Sequence, residues 1–308
     1  MLSRTAESLF WTSRYLERAE GAARLIEMGQ RMTMLPGAGR DEWRSVVAAA
    51  GARAQFDPAE RVTEPMIVER LLLSPDDPFS IRHCLNRARE NAKAARTAVT
   101  QEMWEALNDG WRRLEMLDSA AAMRELPVLL EWVKTRASVF RGAAETSMLR
   151  NDGYFFLRIG GHIERADLTL RLLDVKYYLL LPEADVVGGG RDHHQWTSVL
   201  HATSALRAYH HIYRGDFNPS RIADFLILNR QFPRSLAYGY SEIGRYLDQI
   251  AGAYGERHKC QRTAAEMIAR LADTEMGELL ANGLHEFISD AIAHNNRLSS
   301  EISRAYHF

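Results

Sequence analysis

A chain of 308 residues is long enough for one large helical domain or two of ordinary size, and it buries a core without difficulty. Its 39 basic and 40 acidic residues nearly cancel, so the charge bias that accompanies nucleic-acid binding is missing. Cys84 and Cys260 make no spacing motif and indicate neither a disulfide framework nor a zinc site; a reducing compartment fits.

At the N-terminus, Arg4, Glu7, Arg14, Glu17 and Arg18 fall where a signal peptide needs an unbroken apolar core, and no run approaches membrane-spanning length. The expected location is the cytoplasm, with no membrane association. Ser3 or Thr5 is placed to cap a first helix that runs to the turn Leu35-Pro36-Gly37-Ala38-Gly39. An alanine-rich helix follows around Trp43-Arg-Ser-Val-Val47, closed near Gly51 and Asp57-Pro58. Met66 to Leu73 has helical rather than alternating spacing and stops at Ser74-Pro75-Asp76-Asp77-Pro78. A long helix then starts at a Ser80 cap, and two more helical stretches lie around Trp104 to Leu117 and from about Pro127 to Ala144.

The second half takes up the same order. Tyr15-Leu-Glu-Arg-Ala-Glu-Gly-Ala-Ala-Arg-Leu-Ile-Glu27 returns as His162-Ile-Glu-Arg-Ala-Asp-Leu-Thr-Leu-Arg-Leu-Leu-Asp174, with identity at Glu17/Glu164, Arg18/Arg165, Ala19/Ala166, Arg24/Arg171 and Leu25/Leu172. Two unrelated windows of this length share roughly one residue. After Leu181-Pro182 and a Gly188-Gly189-Gly190 loop, Trp196-Thr-Ser-Val-Leu200 matches the Trp43 segment. Leu226-Ile-Leu228 with Pro233-Arg-Ser-Leu236 matches Leu71-Leu-Leu73 with Pro78-Phe-Ser-Ile81. The expected fold is all-α, a helical bundle built from two pseudo-repeated halves (about 1–150 and 151–308) and without β-sheet. The junction Arg150-Asn-Asp-Gly153 is too short for a linker, so a single domain over 1–308 is expected. Amphipathic helices pack equally well within and between chains, which leaves monomer and homo-oligomer both open.

On a helical wheel the first Glu-Arg element sets Tyr15, Leu16, Ala19, Ala23 and Ile26 against a charged arc of Arg14, Glu17, Glu20, Arg24 and Arg31. The i,i+4 pairs Glu20–Arg24 and Glu27–Arg31 read as a solvated face, each contributing about 0.2–0.5 kcal/mol. Glu17-Arg18 and Glu164-Arg165 differ, because the dipeptide recurs with its neighbours. A recurring internal pair is either a clamp between two halves or the wall of a cleft for a charged ligand; structural ion-pair networks are the commoner case.

Other constellations lead to no chemistry. Asp192, His193, His194 and His201 lack the Glu-x-x-His or His-Glu-x-x-His spacing of metal-dependent helical and zinc enzymes, and no metal is expected. Gly188-Gly189-Gly190 has neither a preceding strand nor a following Lys-Ser/Thr, so no nucleotide cofactor is expected in this chain. No Gly-x-Ser-x-Gly elbow occurs, and no stand-alone catalytic motif emerges.

Taken together, Leu2 to Glu20, Ser80-Ile81, Ala88-Arg-Glu-Asn-Ala92, Trp104 to Asn108, Gly161-x-Ile-Glu-Arg-Ala166 and Pro233-Arg-Ser-Leu236 resemble the bacterial alpha-E family, which takes its name from an all-helical fold and a Glu-Arg motif. The likeness spans nearly the whole chain. It departs from itself at Gly161, which stands where the first copy has Arg14. The resemblance implies association with a circularly permuted ATP-grasp protein and often a transglutaminase-like peptidase. ATP and Mg²⁺ would then belong to that partner, which activates a carboxylate and passes it to an amine. This chain would be its partner in ATP-dependent amide or peptide bond formation, holding the amino-acid or peptide substrate, or else a non-catalytic scaffold that docks the ligase. In the first case Glu17 and Glu164 would be the catalytic residues, holding or deprotonating the amine, while Arg14, Arg18 and Arg165 would bind a substrate carboxylate.

Overall fold

A computed structural model describes residues 3–34, 42–57, 59–178 and 190–308 of the chain. Those residues contain helices and no strand, so the fold is all-α. In order the helices are α1 (Ser3–Thr33), α2 (Glu42–Ala49), α3 (Glu64–Ile67), α4 (Ile81–Ala94), α5 (Gln101–Glu115), α6 (Ser119–Arg124), α7 (Leu126–Ser147) and α8 (Asp152–Tyr178). After them come α9 (Gly190–Ala202), α10 (Leu206–Tyr213), α11 (Pro219–Ile227), α12 (Leu236–Tyr254), α13 (Lys259–Asp273), α14 (Met276–Asn282) and α15 (Leu284–Tyr306). Val68–Leu73 continues α3 as a π-helical turn.

The long helices α1 and α8, which carry the two Glu-Arg elements, lie against each other and form the centre of the bundle. Their approach is close at Gly160, where an added Cβ would sit 2.3 Å from the carbonyl oxygen of Phe10. Around them, α1 packs on α4, α7 and α9, and α8 packs on α12, α15 and α2. The apolar arc of each central helix joins one continuous core through Leu16, Ala19, Ala23 and Ile26 on α1 and Ile163, Ala166, Leu170 and Leu173 on α8.

Local chemistry starts α4 and α12 in the same way. Ser80 accepts a hydrogen bond from the His83 amide at 3.0 Å, and Ser235 accepts one from the Tyr238 amide at 3.1 Å, each satisfying an orphan donor of the first turn. Their hydroxyls donate in turn to the carbonyls of Ser74 and Asn229, tying each cap to the preceding turn. α2 ends at Gly51, whose φ of +78° requires a residue without a Cβ penalty. The turn at Leu35 to Gly39, Pro58 and Leu181-Pro182 lie outside the described residues, as do Gly188 and Gly189; Gly190, expected in a loop, is the first residue of α9.

The solvated face expected for Glu20–Arg24 is not found: Glu20 is 0% exposed and Arg24 8%. A long helix at the centre of a bundle has neighbours on every side, so this part of its charged arc is buried against Arg141 of α7, Arg234 before α12 and the end of α9 rather than in water. Glu27 and Arg31, farther along α1, keep 28% and 40% side-chain exposure.

Candidate functional site

The seam between α1 and α8 is built from charges that cross it. Arg18 donates from Nε to Glu164 Oε1 at 2.6 Å and from Nη2 to Glu164 Oε2 at 3.1 Å, a forked contact of guanidinium on carboxylate. In the opposite direction Arg165 donates to both oxygens of Glu17. All four residues of the two Glu-Arg dipeptides therefore converge, each arginine on the other helix's glutamate.

Each glutamate has a second cation. Arg14 donates from Nε to Glu164 Oε2 at 2.8 Å and from Nη1 to Ser299 of α15 at 2.7 Å. Its guanidinium lies over the Trp11 ring, 4.9 Å from the centroid. The equivalent position on α8 is Gly161, and there a Cβ would meet Ser13 Oγ at 2.7 Å, so no side chain fits without displacing it. The second cation for Glu17 comes instead from α7, where Arg141 Nη1 donates to Glu17 Oε1 at 3.0 Å and also to Glu20. Glu20 is further held by Arg24, at 2.6 Å and 2.9 Å, and by Arg234 at 2.6 Å.

Burial and charge act against each other at these groups. Burial disfavours the ionised carboxyl of Glu164, but Arg18 and Arg14 outweigh it and hold its pKa at about 2. Glu17, penalised by burial yet flanked by Arg165 and Arg141, lies below the usual carboxylate value, as does Glu20 beside Arg234, Arg141 and Arg24. Arg18 and Arg141 are pushed up, because their acidic partners overcome the burial that would lower them.

At one edge of this seam the helices leave a recess of about 100 Å³ between α1, α2 and α8, with Arg14, Arg18, Glu164, Asp167 and Arg171 among its lining. Ala49, Ala50 and Phe79 close the apolar side. Arg171 donates from Nε to Asp167 Oδ2 at 2.5 Å, and Gly51 comes so near that a Cβ there would lie 3.3 Å from Arg171 Nη1. Asp167 Oδ1 is sealed from solvent and has no hydrogen-bond partner among the described residues. On the other side of the network an open hollow of about 710 Å³ is lined by Glu27, Arg31, Lys134 and Arg207, with Lys134 and Arg31 both on Glu27.

Of the residues expected at the site, Arg14, Glu17, Arg18, Glu164 and Arg165 all belong to the seam, and all but Arg165 line the recess. Arg141, Arg234, Ser299, Asp167 and Arg171 were not expected there. Asp167 and Arg171 stood inside the repeated element and Arg234 in the repeated Pro-x-Ser segment, so their positions carried a signal; Arg141 on α7 carried none. Elsewhere His194 Nε2 lies 3.0 Å from the Arg31 carbonyl, and among the described residues no three His, Cys, Asp or Glu side chains gather as metal ligands. Among those residues no helix is long and apolar enough to cross a membrane.

Comparison with known proteins gives a family with the same helical character and the same dipeptide. The model of the Alpha-E family, a predicted alpha-helical domain with a conserved ER motif, matches residues 1–307. Among curated proteins the chain is similar to an uncharacterised protein of Mycobacterium bovis, 25% identical over 319 residues, which takes in 94% of this chain and 35% of the relative. An uncharacterised protein of Mycobacterium tuberculosis H37Rv matches with the same identity and coverage. The chain thus spans about a third of the length of these relatives. No solved structure matches it significantly.

Proposed function

This chain belongs to the Alpha-E family, and we propose that it is the helical partner of a circularly permuted ATP-grasp ligase in ATP-dependent amide or peptide bond formation, acting in the cytoplasm. It holds the amino-acid or peptide substrate while the ligase, with its own ATP and Mg²⁺, activates a carboxylate. The observation that carries the reading is the recess at the α1–α8 seam, where Arg14, Arg18 and Glu164 meet Asp167 and Arg171. A mixed-charge hollow on rigid helices suits the orientation of a small charged molecule, since planar guanidiniums match a carboxylate. The length of the mycobacterial relatives, nearly three times the matched portion, suits a unit that works beside other polypeptide.

Within this reading the arginines bind and the glutamates position. A general base needs a carboxyl that exchanges protons near neutral pH, whereas Glu17 and Glu164 are kept ionised by the guanidiniums around them. They fix the arginines so that the donors facing the recess do not move.

A second reading, a scaffold that docks the ligase without touching substrate, is favoured by the saturation of Glu17 and Glu20, whose oxygens are occupied by Arg165, Arg141, Arg24 and Arg234. Reconstitution separates the two. With the ATP-grasp protein and its substrates, the substrate-holding reading requires that adding this chain raise amide formation, and that Arg18→Ala in a folded variant remove the gain. Full product formation by the ligase alone, with this chain merely co-eluting, establishes the scaffold.

A further inference from the structure

The recess exists on one side of the pseudo-equivalent positions, and the difference is chemical. Glu20 of α1 and Asp167 of α8 occupy matching places in the repeated element, each with an arginine four residues on. Glu20 is enclosed by Arg24, Arg141 and Arg234 and is 0% exposed. Asp167 receives Arg171 alone among the described ion pairs, and Phe79 stands at the aligned position of Arg234. Replacing a guanidinium by a phenyl ring leaves the carboxylate short of a donor and gives the hollow an apolar wall.

The charges and hydrogen-bonding groups of the recess specify what fits. Arg14, Arg18 and Arg171 face the carboxylates of Glu164 and Asp167, because Glu17, also in the wall, is matched by Arg165 and Arg141. One positive charge is in excess. Arg18 uses Nε and Nη2 on Glu164, and Arg171 uses Nε on Asp167. Among the described residues Arg18 Nη1 and the two terminal nitrogens of Arg171 therefore remain as donors, and Asp167 Oδ1 remains as an acceptor. Oδ1 is sealed from solvent in this state, so it meets a ligand by a turn of the carboxyl about its broad terminal torsion, with the Arg171 guanidinium following Oδ2. At about 15 Å³ for each water-sized position, the hollow takes roughly six or seven non-hydrogen atoms.

We propose that this recess binds a short α-amino or α-hydroxy acid, with its carboxylate on Arg171 and Arg18 and its α-donor on Asp167. The inference deepens the substrate-holding reading above and rests on it for its biological meaning; the binding itself needs no ligase.

Titration of the isolated chain with L-alanine, L-lactate, propionate and L-alaninamide, followed by calorimetry or by NMR shifts, tests it. Alanine or lactate is expected to bind, with alaninamide, which lacks the carboxylate, weaker by about ten-fold or more. Alanine tighter than lactate identifies the α-amino acid, and the reverse identifies the hydroxy acid. Arg171→Gln should weaken binding by about ten-fold or more while the unfolding midpoint stays near that of the unaltered chain. Ala50→Leu, which fills the recess without touching an ion pair, should abolish binding. The proposal is overturned if neither acid binds, if alaninamide binds as well as alanine, if propionate equals both acids, or if Arg171→Gln binds unchanged. Failure here with ligase stimulation intact removes the ligand class alone; binding without stimulation removes the ligase partnership.

Discussion

Arg18 on α1 and Glu164 on α8 meet 2.6 Å apart across the centre of the bundle, and the same contact is made in the other direction by Arg165 and Glu17. Each Glu-Arg dipeptide is thus pulled apart, its acid paired with two arginines of other helices and its base with a foreign acid. Neighbours in sequence point to different sides of a helix turn, so a dipeptide cannot pair with itself across a seam but two copies can pair with each other.

Removing one member of this set leaves buried charge unmatched. Glu164→Ala strands both Arg14 and Arg18 and is expected to cost about 3–5 kcal/mol. Arg31→Ala, at a pair 40% and 28% exposed, should cost no more than about 0.5 kcal/mol. Urea unfolding of the two variants checks the contrast; equal losses would mean that the seam charges are not coupled across α1 and α8.

Acid should unfold the protein in two stages. His162, 2% exposed, is held well below its ordinary pKa of 6.5 by burial and by Arg165 and Arg158. A group depressed in the folded state contributes stability that is whole above its unfolded pKa and is lost as pH falls below it. Stability therefore begins to decline near pH 6.5, and His162→Phe should lessen the decline that sets in below it. Glu164, with an unfolded value of 4.5 and a folded value of about 2, adds a loss below pH 4.5, joined by Glu17 and Glu20. Glu164→Gln should flatten that lower stage, as read from urea midpoints against pH.

Two glycine substitutions should have opposite signs. Gly160→Ala drives a methyl into the Phe10 carbonyl at 2.3 Å, where helix backbone has to give way, and is expected to cost about 1–3 kcal/mol or more. Gly252, exposed in the last turn of α12 with nothing within 4 Å of an added Cβ, should gain up to about 0.5–1 kcal/mol as alanine, because the helix loses a flexible residue. Thermal unfolding midpoints check both, and a Gly160→Ala midpoint that does not fall would contradict the close α1–α8 approach.

Much of the fold was legible in the sequence. Helical periodicity and the Ser80 cap located α4, the spacing from Met66 to Leu73 located the turn before it, and the Glu-Arg element marked α1 and α8 as the pair to watch. α6 was missed because Ser119–Arg124 is too short to display a period. At the site, Arg14, Glu17, Arg18, Glu164 and Arg165 were legible because they recur or flank the recurrence. Arg141 was not, since a lone arginine on α7 looks like any surface arginine until α7 is laid along α1.

The amino-acid sequence by itself determined an all-α chain with two similar Glu-Arg helices, because periodicity, capping residues and recurrence are local properties. Tertiary structure alone decided that the charged arcs face each other. A wheel drawn for one helix separates apolar from charged positions, yet it cannot tell water from a second charged helix as the neighbour of the polar side. The packing of α7 and of the turn before α12 on the same seam turned Glu20 from a surface residue into a buried one ringed by Arg24, Arg141 and Arg234, and left a recess beside Asp167, which has Arg171 alone among the described ion pairs.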